Sequence, residues 1–392
     1  MKRMSLIAAL ACIAFGVPAQ AADISEVMVS YNQAMADGTP QEKIVAATNL
    51  GKAALENTDR EDAGQLAYEA GQALCQYADC EGAAPFAEFA ASPGRAIAPL
   101  SAEDVELLSA YSAWRSAPDD RKTRKTLDEA LKAKADGTVS MLSLTAFNKR
   151  YFSDAKDGDW RKAIAAADAA AAHFAPVKQM IGSHWSNAKM FALTSAFKIA
   201  PDDQQVLDMA QHQADLSKLS GELSAQPEWL AEHYFQTVAW RNTMMAYFQS
   251  VGGDNRLNRR YHKDPGRLNT EVNAILEADN GIASSSASSA SSENQTKLPL
   301  CAGHMSEVPR LYYSDPEYEG AKYGSVVFRM SLEDGRVSDT TVLAAVPAGI
   351  FEDQAAETAL QWKWIVEEGV PGETCTTTSN NLIMVFRASL DD

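Results

Sequence analysis

The chain runs to 392 residues, long for one ordinary core, and its composition (46% hydrophobic, 22% charged) is that of folded protein rather than of a fibrous or disordered chain. A formal charge of −17 opposes binding to polyanions, so neither nucleic acid nor an anionic membrane surface is an expected partner.

The first residues, "MKRMSLIAALACIAFGVPAQA", carry the parts of a cleavable secretory signal, assigned to 1–21. Lys2 and Arg3 form the positive start, Leu6 to Val17 the apolar run, and Ala19-Gln20-Ala21 a small-residue cleavage site. The apolar run is short for a bilayer span. An uncleaved anchor is the competing reading; Ala9–Cys12 is a poor acylation motif, because "IAFGV" would follow the lipid. No later stretch approaches a transmembrane length, so the mature chain is expected not to span a membrane.

Cleavage leaves Cys75, Cys80, Cys301 and Cys375, an even set that in an exported chain suggests two disulfides. Cys75–Cys80 and Cys301–Cys375 is the economical pairing, since each bond then stays within one proposed domain. In "CQYADC" the bond requires the helix to end between the cysteines, because five helical residues rise about 7.5 Å. Gly82 and Pro85 favour such an end.

Residues 22–281 read as an all-α domain of amphipathic helices. Its breaks fall at Asp37–Pro40, Glu56–Asp62, Ser92–Ala96, Ser116–Asp120, Ala135–Gly137, Lys156–Asp159 and Ala200–Asp203. Short turns imply antiparallel neighbours, in a bundle or a helical solenoid. Two stretches, Gly158–Phe174 and Asn187–Asp203, space small residues at helical steps, Ala188, Ala192 and Ala196 among them. Both resemble the second helix of tetratricopeptide repeats, although no 34-residue unit recurs in register. Degenerate repeats and a plain Ala-rich helical domain both fit.

Trp229–Phe248, "WLAEHYFQTVAWRNTMMAYF", reads as buried core, with a ligand groove as the alternative. Arg256, Arg259, Arg260, Lys263 and Arg267 then form a basic cluster in an acidic chain, either a solvated loop or a docking patch for an acidic partner. Residues 282–297, "ASSSASSASSENQTK" with the preceding Ile, form a Ser/Ala-rich linker that reaches only ~55 Å when fully extended.

Residues 298–392 read as strand, turn, strand, helix, strand. Val326, Phe328, Met330 and Leu332 alternate onto one face, and Asp334-Gly335 is a hairpin turn signal. Phe351–Trp364 reads as a helix with Phe351, Ala355, Ala359 and Trp362 on one face. Asn381–Leu390 closes the module, turning Leu382, Met384, Phe386 and Ala388 inward. The expected fold is α+β and multidomain: a helical repeat-like region followed by a small antiparallel sheet covered by one helix.

Gly324, "DGRV" (Asp334–Val337), and "VPAGIFEDQAAETALQWKW" (Val346–Trp364) with Pro347, Phe351, Leu360, Trp362 and Trp364 resemble the C-terminal domain of TonB-family proteins over about 305–390. That resemblance implies a periplasmic module that binds a protein or peptide segment, as of an outer-membrane receptor, by strand addition to its sheet edge. The candidate edge is the last strand: Leu382, Ile383, Met384, Val385, Phe386 and Arg387. Tyr313 stands where the family's Tyr-Pro pair begins, though Ser314 replaces the proline and Val366 stands where a proline usually follows the Trp-aromatic element. The alternative is an energy transducer for TonB-dependent outer-membrane transport, which needs an uncleaved N-terminal anchor or an anchored partner.

No HExxH, P-loop, Gly-x-Ser-x-Gly or dinucleotide fingerprint occurs, so no catalytic residue, metal site or cofactor is assigned and the chain reads as a non-enzyme. His184-Trp185 and Glu232-His233 read as isolated pairs in helix cores or surfaces. A spatially assembled active site and a small-molecule site around Trp229–Phe248 are the remaining alternatives.

Overall fold

The computed structural model describes residues 24–93, 99–135, 137–250, 266–279, 298–306, 323–372 and 374–389. The proposed signal, the linker 282–297, Tyr313 and four of the basic residues (Arg256, Arg259, Arg260 and Lys263) lie outside them. The chain divides into two compact units, Met1–Ala146 and Phe147–Asp392.

The first unit is helical: α1 (Ile24–Asp37), α2 (Pro40–Glu56), α3 (Ala63–Tyr77), α4 (Ala84–Ala90), α5 (Ala102–Ser116), α6 (Arg121–Lys134) and the start of α7 (Met141–Lys156). Its helix starts follow local chemistry. At α2 the Glu42 N–H donates to Thr39 Oγ1 while the Thr39 N–H returns to the Glu42 carboxylate at 2.7 Å, and Pro40 opens the first turn. Ser101 and Asp120 accept from the first-turn N–H groups of α5 and α6. Extensive contacts run mainly between sequence neighbours, from α1 on α2 through α5 on α6. Helix α3 ends at Tyr77, and Asp79 and Cys80 take positive φ values of 50° and 67°, so the chain doubles back and Cys80 bonds to Cys75.

Leu107, Leu108, Tyr111 and Trp114 of α5 are sealed in this core together with Tyr68 and Leu74 of α3. Within it lies a buried ion pair, Lys134 Nζ to Asp104 Oδ1 at 2.7 Å, with side chains 1% and 9% exposed. The Ser101 hydroxyl donates to the other Asp104 oxygen at 2.9 Å. A buried pair gains little over apolar packing, but breaking it leaves a bare charge in low dielectric. Asp104→Ala is therefore expected to lower stability by about 3–5 kcal/mol, and Asp104→Leu combined with Lys134→Met to recover most of that loss. Urea denaturation of the two variants checks this.

The second unit holds the rest of α7, then α8 (Trp160–Phe174), α9 (Lys178–Ile199), α10 (Asp203–Glu222), α11 (Glu228–Ser250) and α12 (Arg267–Asp279). Asp159 caps α8, and Asp202 caps α10 in a capping box with Gln205. Ala163, Ala167 and Ala170 of α8 and Ala188 and Ala192 of α9 are buried where those two helices pack. Ala196 is only half buried. Where the seven breaks read from sequence lie among the described residues, they fall between helices or on helix end residues; 94–96 and 136 lie outside the described residues.

The C-terminal strands are β1 (Gly303–Met305), β2 (Tyr323–Glu333), β3 (Arg336–Val346), β4 (Trp364–Val366) and β5 (Ser379–Ser389), with α13 (Glu352–Ala359) between β3 and β4. Strands β3, β2 and β5 form an antiparallel sheet in that order, and β1 pairs antiparallel with β4 in a second, two-stranded sheet. Asp334 and Gly335 both take positive φ, 48° and 75°, as a two-residue turn matched to strand twist requires. Gly324 has a different reason: a Cβ there would meet the Phe351 ring at 2.3 Å. The ring of Phe351 can seat over β2 only because that side chain is missing.

Two expectations differ from the structure. The helix expected over Phe351–Trp364 stops at Ala359. Beyond it burial alternates with period two, Trp362 in, Lys363 out, Trp364 half in, Ile365 out, and the chain joins β1 as β4. The spacing 351, 355, 359, 362 suits a helix face and also lets Trp362 be buried from an extended chain. The sheet is also covered on both faces rather than one. Val326, Phe328, Met330 and Leu332 face Phe351, Ala355, Ala359 and Trp362, whereas Val327, Ala344 and Val346 pack on Val238 and Ala239 of α11. No helix among the described residues is long and apolar enough to cross a membrane.

Candidate functional site

Strand β5 lies at one edge of the three-stranded sheet, paired with β2 alone among the described residues. Its register sets Leu382 opposite Met330, Met384 opposite Phe328 and Phe386 opposite Val326. Leu382, Met384 and Phe386 are half buried against the core beneath α13, and Trp362 lies 6.4 Å from the Phe386 ring. Val385 packs on the α11 side. Ile383, 39% exposed, presents its side chain to solvent.

Arg387 keeps part of its surface open to solvent, but its guanidinium turns to α11, where burial lowers its pKa and its Nε donates to Asn242 Oδ1 at 2.8 Å. Next to that contact the Ser325 hydroxyl donates to the Ala239 carbonyl at 2.6 Å and lies 3.2 Å from the Thr243 hydroxyl. Ser325 is fully buried and Thr243 6% exposed, so this seam between α11 and β2 is dry and hydrogen-bonded. Ser325→Val is expected to cost about 0.5–1.5 kcal/mol, the net worth of one buried hydrogen bond, since the Ala239 carbonyl keeps the Thr243 hydroxyl as a donor at 3.0 Å. Denaturation of the variant, with hydrogen exchange across α11 and β2, tests it.

The segment entering the module is pinned as the cysteine count implied. Cys301 and Cys375 are bonded, the Cys301 N–H donates to the Thr376 carbonyl at 2.9 Å, and the Trp364 indole donates to the Cys301 carbonyl at 3.1 Å.

The second unit also holds a cleft of about 510 Å³. Tyr151 and Phe152 of α7, Phe191 of α9 and Trp240 of α11 form its aromatic walls. Phe191 lies 4.9 Å from the Tyr151 ring and 5.8 Å from Phe152, yet Phe152 remains 55% exposed. Asn148, His184, Asn187 and Thr194 supply the polar lining, and Met190 the rest. Asn148 Nδ2 is 3.1 Å from His184 Nδ1, whereas Asn148 Oδ1 is buried without a hydrogen-bond partner. Burial lowers the His184 pKa. Sequence order gave His184 no visible partner, because Asn148 stands 36 residues away on another helix. Of the Trp229–Phe248 segment, Trp240 reaches this cleft while Met244, Met245 and Phe248 are core.

A second histidine is sealed off. His212 Nε2 lies 3.0 Å from Ser186 Oγ, with His212 1% exposed and Ser186 wholly buried, so the pair is a core contact between α9 and α10. Burial first, then the charges of Lys189, His233 and Lys178, drive the His212 pKa down to about 3. The unfolded chain thus binds a proton that the fold refuses, and stability is lost as pH falls from about 6.5 towards 3, by at most about 1.4 kcal/mol per pH unit. A series of urea midpoints between these limits should show that slope in the wild type and a shallower one in His212→Gln.

No cluster of metal-ligating side chains occurs among the described residues. Comparisons with family models, with curated proteins and with solved structures find no match to this chain.

Proposed function

We propose that the chain is an exported periplasmic protein of TonB type that binds a protein partner by adding the partner's extended segment to β5, with the tetratricopeptide-like helices offering a second interaction surface. The observation that supports this reading is the edge itself: an 11-residue strand with one strand neighbour among the described residues. Strands of that length left at an edge are uncommon unless guarded, because their unpaired N–H and C=O groups template further pairing. Here the half-buried Leu382, Met384 and Phe386 alternate with the outward Ile383, while Arg387 is tied to Asn242 of α11, which gives a partner strand both backbone donors and side-chain relief. The two disulfides agree with export.

Successive N–H groups of a strand point to opposite edges, so of Ile383→Pro and Met384→Pro one removes an outward donor and the other breaks the ladder to β2. The mature chain from Ala22 and both variants are used to capture partners from an exported-protein extract, with hydrogen exchange confirming which variant keeps its sheet. The expected result is a partner that protects β5 amides in the wild type and is lost at least about tenfold by the sheet-retaining variant. Retention of the same partner by that variant would remove the edge as the binding surface.

A further inference from the structure

Strand addition makes no use of the aromatic cleft. None of its described lining residues is Asp, Glu, Lys or Arg, in a chain where charged residues are 22% of the total. Its volume of about 510 Å³ lies within the ordinary range for small-molecule sites. Exposure of Phe152 at 55% leaves a large apolar ring face beside other rings, a hydration cost that a flat ligand relieves. The polar side of the cleft is equally specific. With Asn148 Nδ2 donating to His184 Nδ1, the neutral imidazole carries its proton on Nε2, which makes a donor, and Asn148 Oδ1 is a buried, unpaired acceptor that a ligand meets once the Asn148 side chain turns to it. One donor and one acceptor within a single Asn–His pair match a carboxamide, which offers one of each.

We propose that this cleft binds an uncharged aromatic or heteroaromatic small molecule bearing an amide-like group, its ring against Phe152 and Phe191 and its amide at Asn148 and His184. Two consequences follow from the lining. A carboxylate in place of the amide loses its hydration at the Asn148–His184 end, where no described lining residue is cationic and Lys198 is engaged over the Trp240 ring at 5.3 Å, so the anion binds worse than the isosteric neutral ligand. Phe152 is an exposed part of the ring wall, so trimming it weakens binding without disturbing the buried core.

Nicotinamide and nicotinate are the probes, since they share a ring and differ in the charge of one substituent. Saturation-transfer NMR and titration calorimetry are run on the mature chain from Ala22, on Phe152→Ala and Asn148→Ala, and on Met180→Ala, which is 85% exposed and outside the cleft. The expected outcome is saturable nicotinamide binding, about tenfold tighter than nicotinate, weakened about tenfold by each cleft variant and unchanged by Met180→Ala. Equal affinity for the two probes overturns the proposal on the wild type alone, whatever the variants do. So does nicotinamide binding that both cleft variants leave intact, or no saturable binding up to about 10 mM.

Discussion

Helix α11 has no consistently polar face, and a helix of that kind must be covered all round or expose apolar surface. Its Met244, Met245 and Phe248 are covered by Leu193 and Phe197 of α9 and by Val206, Leu207 and Met209 of α10. Val238 and Ala239 are covered by Val327, Ala344 and Val346 of the sheet. Without the sheet that second stripe would face water, and without α11 so would the buried face of β2. The second unit is built on this mutual covering, which is why a three-stranded sheet with one short helix does not stand as a layer exposed on one side.

Polar contacts give the seam its register. Apolar packing between a helix and a sheet tolerates sliding, because its energy depends on area more than on direction. The Ser325 hydroxyl on the Ala239 carbonyl and the Arg387 guanidinium on Asn242 tolerate little, since a hydrogen bond weakens steeply once its distance and angle are lost. Asn242 is itself held, its amide nitrogen donating to the Val238 carbonyl one turn earlier at 2.8 Å. The same helix turn that contributes apolar area therefore also fixes where β5 lies.

What the sequence disclosed follows the range of the interactions involved. Helix breaks were legible because Asp, Asn, Gly and Pro act within a few residues, as Thr39 with Glu42 and Asp202 with Gln205 show. The hairpin at Asp334-Gly335 and the alternation along β2 were legible for the same reason. The end of α13 was not, because Trp362 satisfies both periodicities and only the pairing of β4 with β1, some sixty residues apart in sequence, selects the extended one. Nor was the seam: nothing near Ser325 in sequence marks it as buried against residue 239, 86 positions away. The Asn148–His184 pair failed for the same cause, its two members lying on different helices.

Binding by strand addition draws on backbone hydrogen bonds, and their worth depends on how little the template must be ordered when the partner arrives. A sheet hung from a Ser/Ala-rich linker and packed on one face would present a soft edge. In this unit β5 is held from three directions, by the ladder to β2, by the Trp362 side of the α13 cluster, and by α11 through Val385 and Arg387. The disulfide between Cys301 and Cys375 ties down the segment that leads into it. A partner strand would meet a backbone already extended and already spaced, so the ordering entropy falls almost entirely on the partner. That rigidity also bears on the cleft, because Trp240 in its wall and Asn242 beneath Arg387 stand two residues apart on one helix. Each surface rests on a helix that the other helps to hold in place.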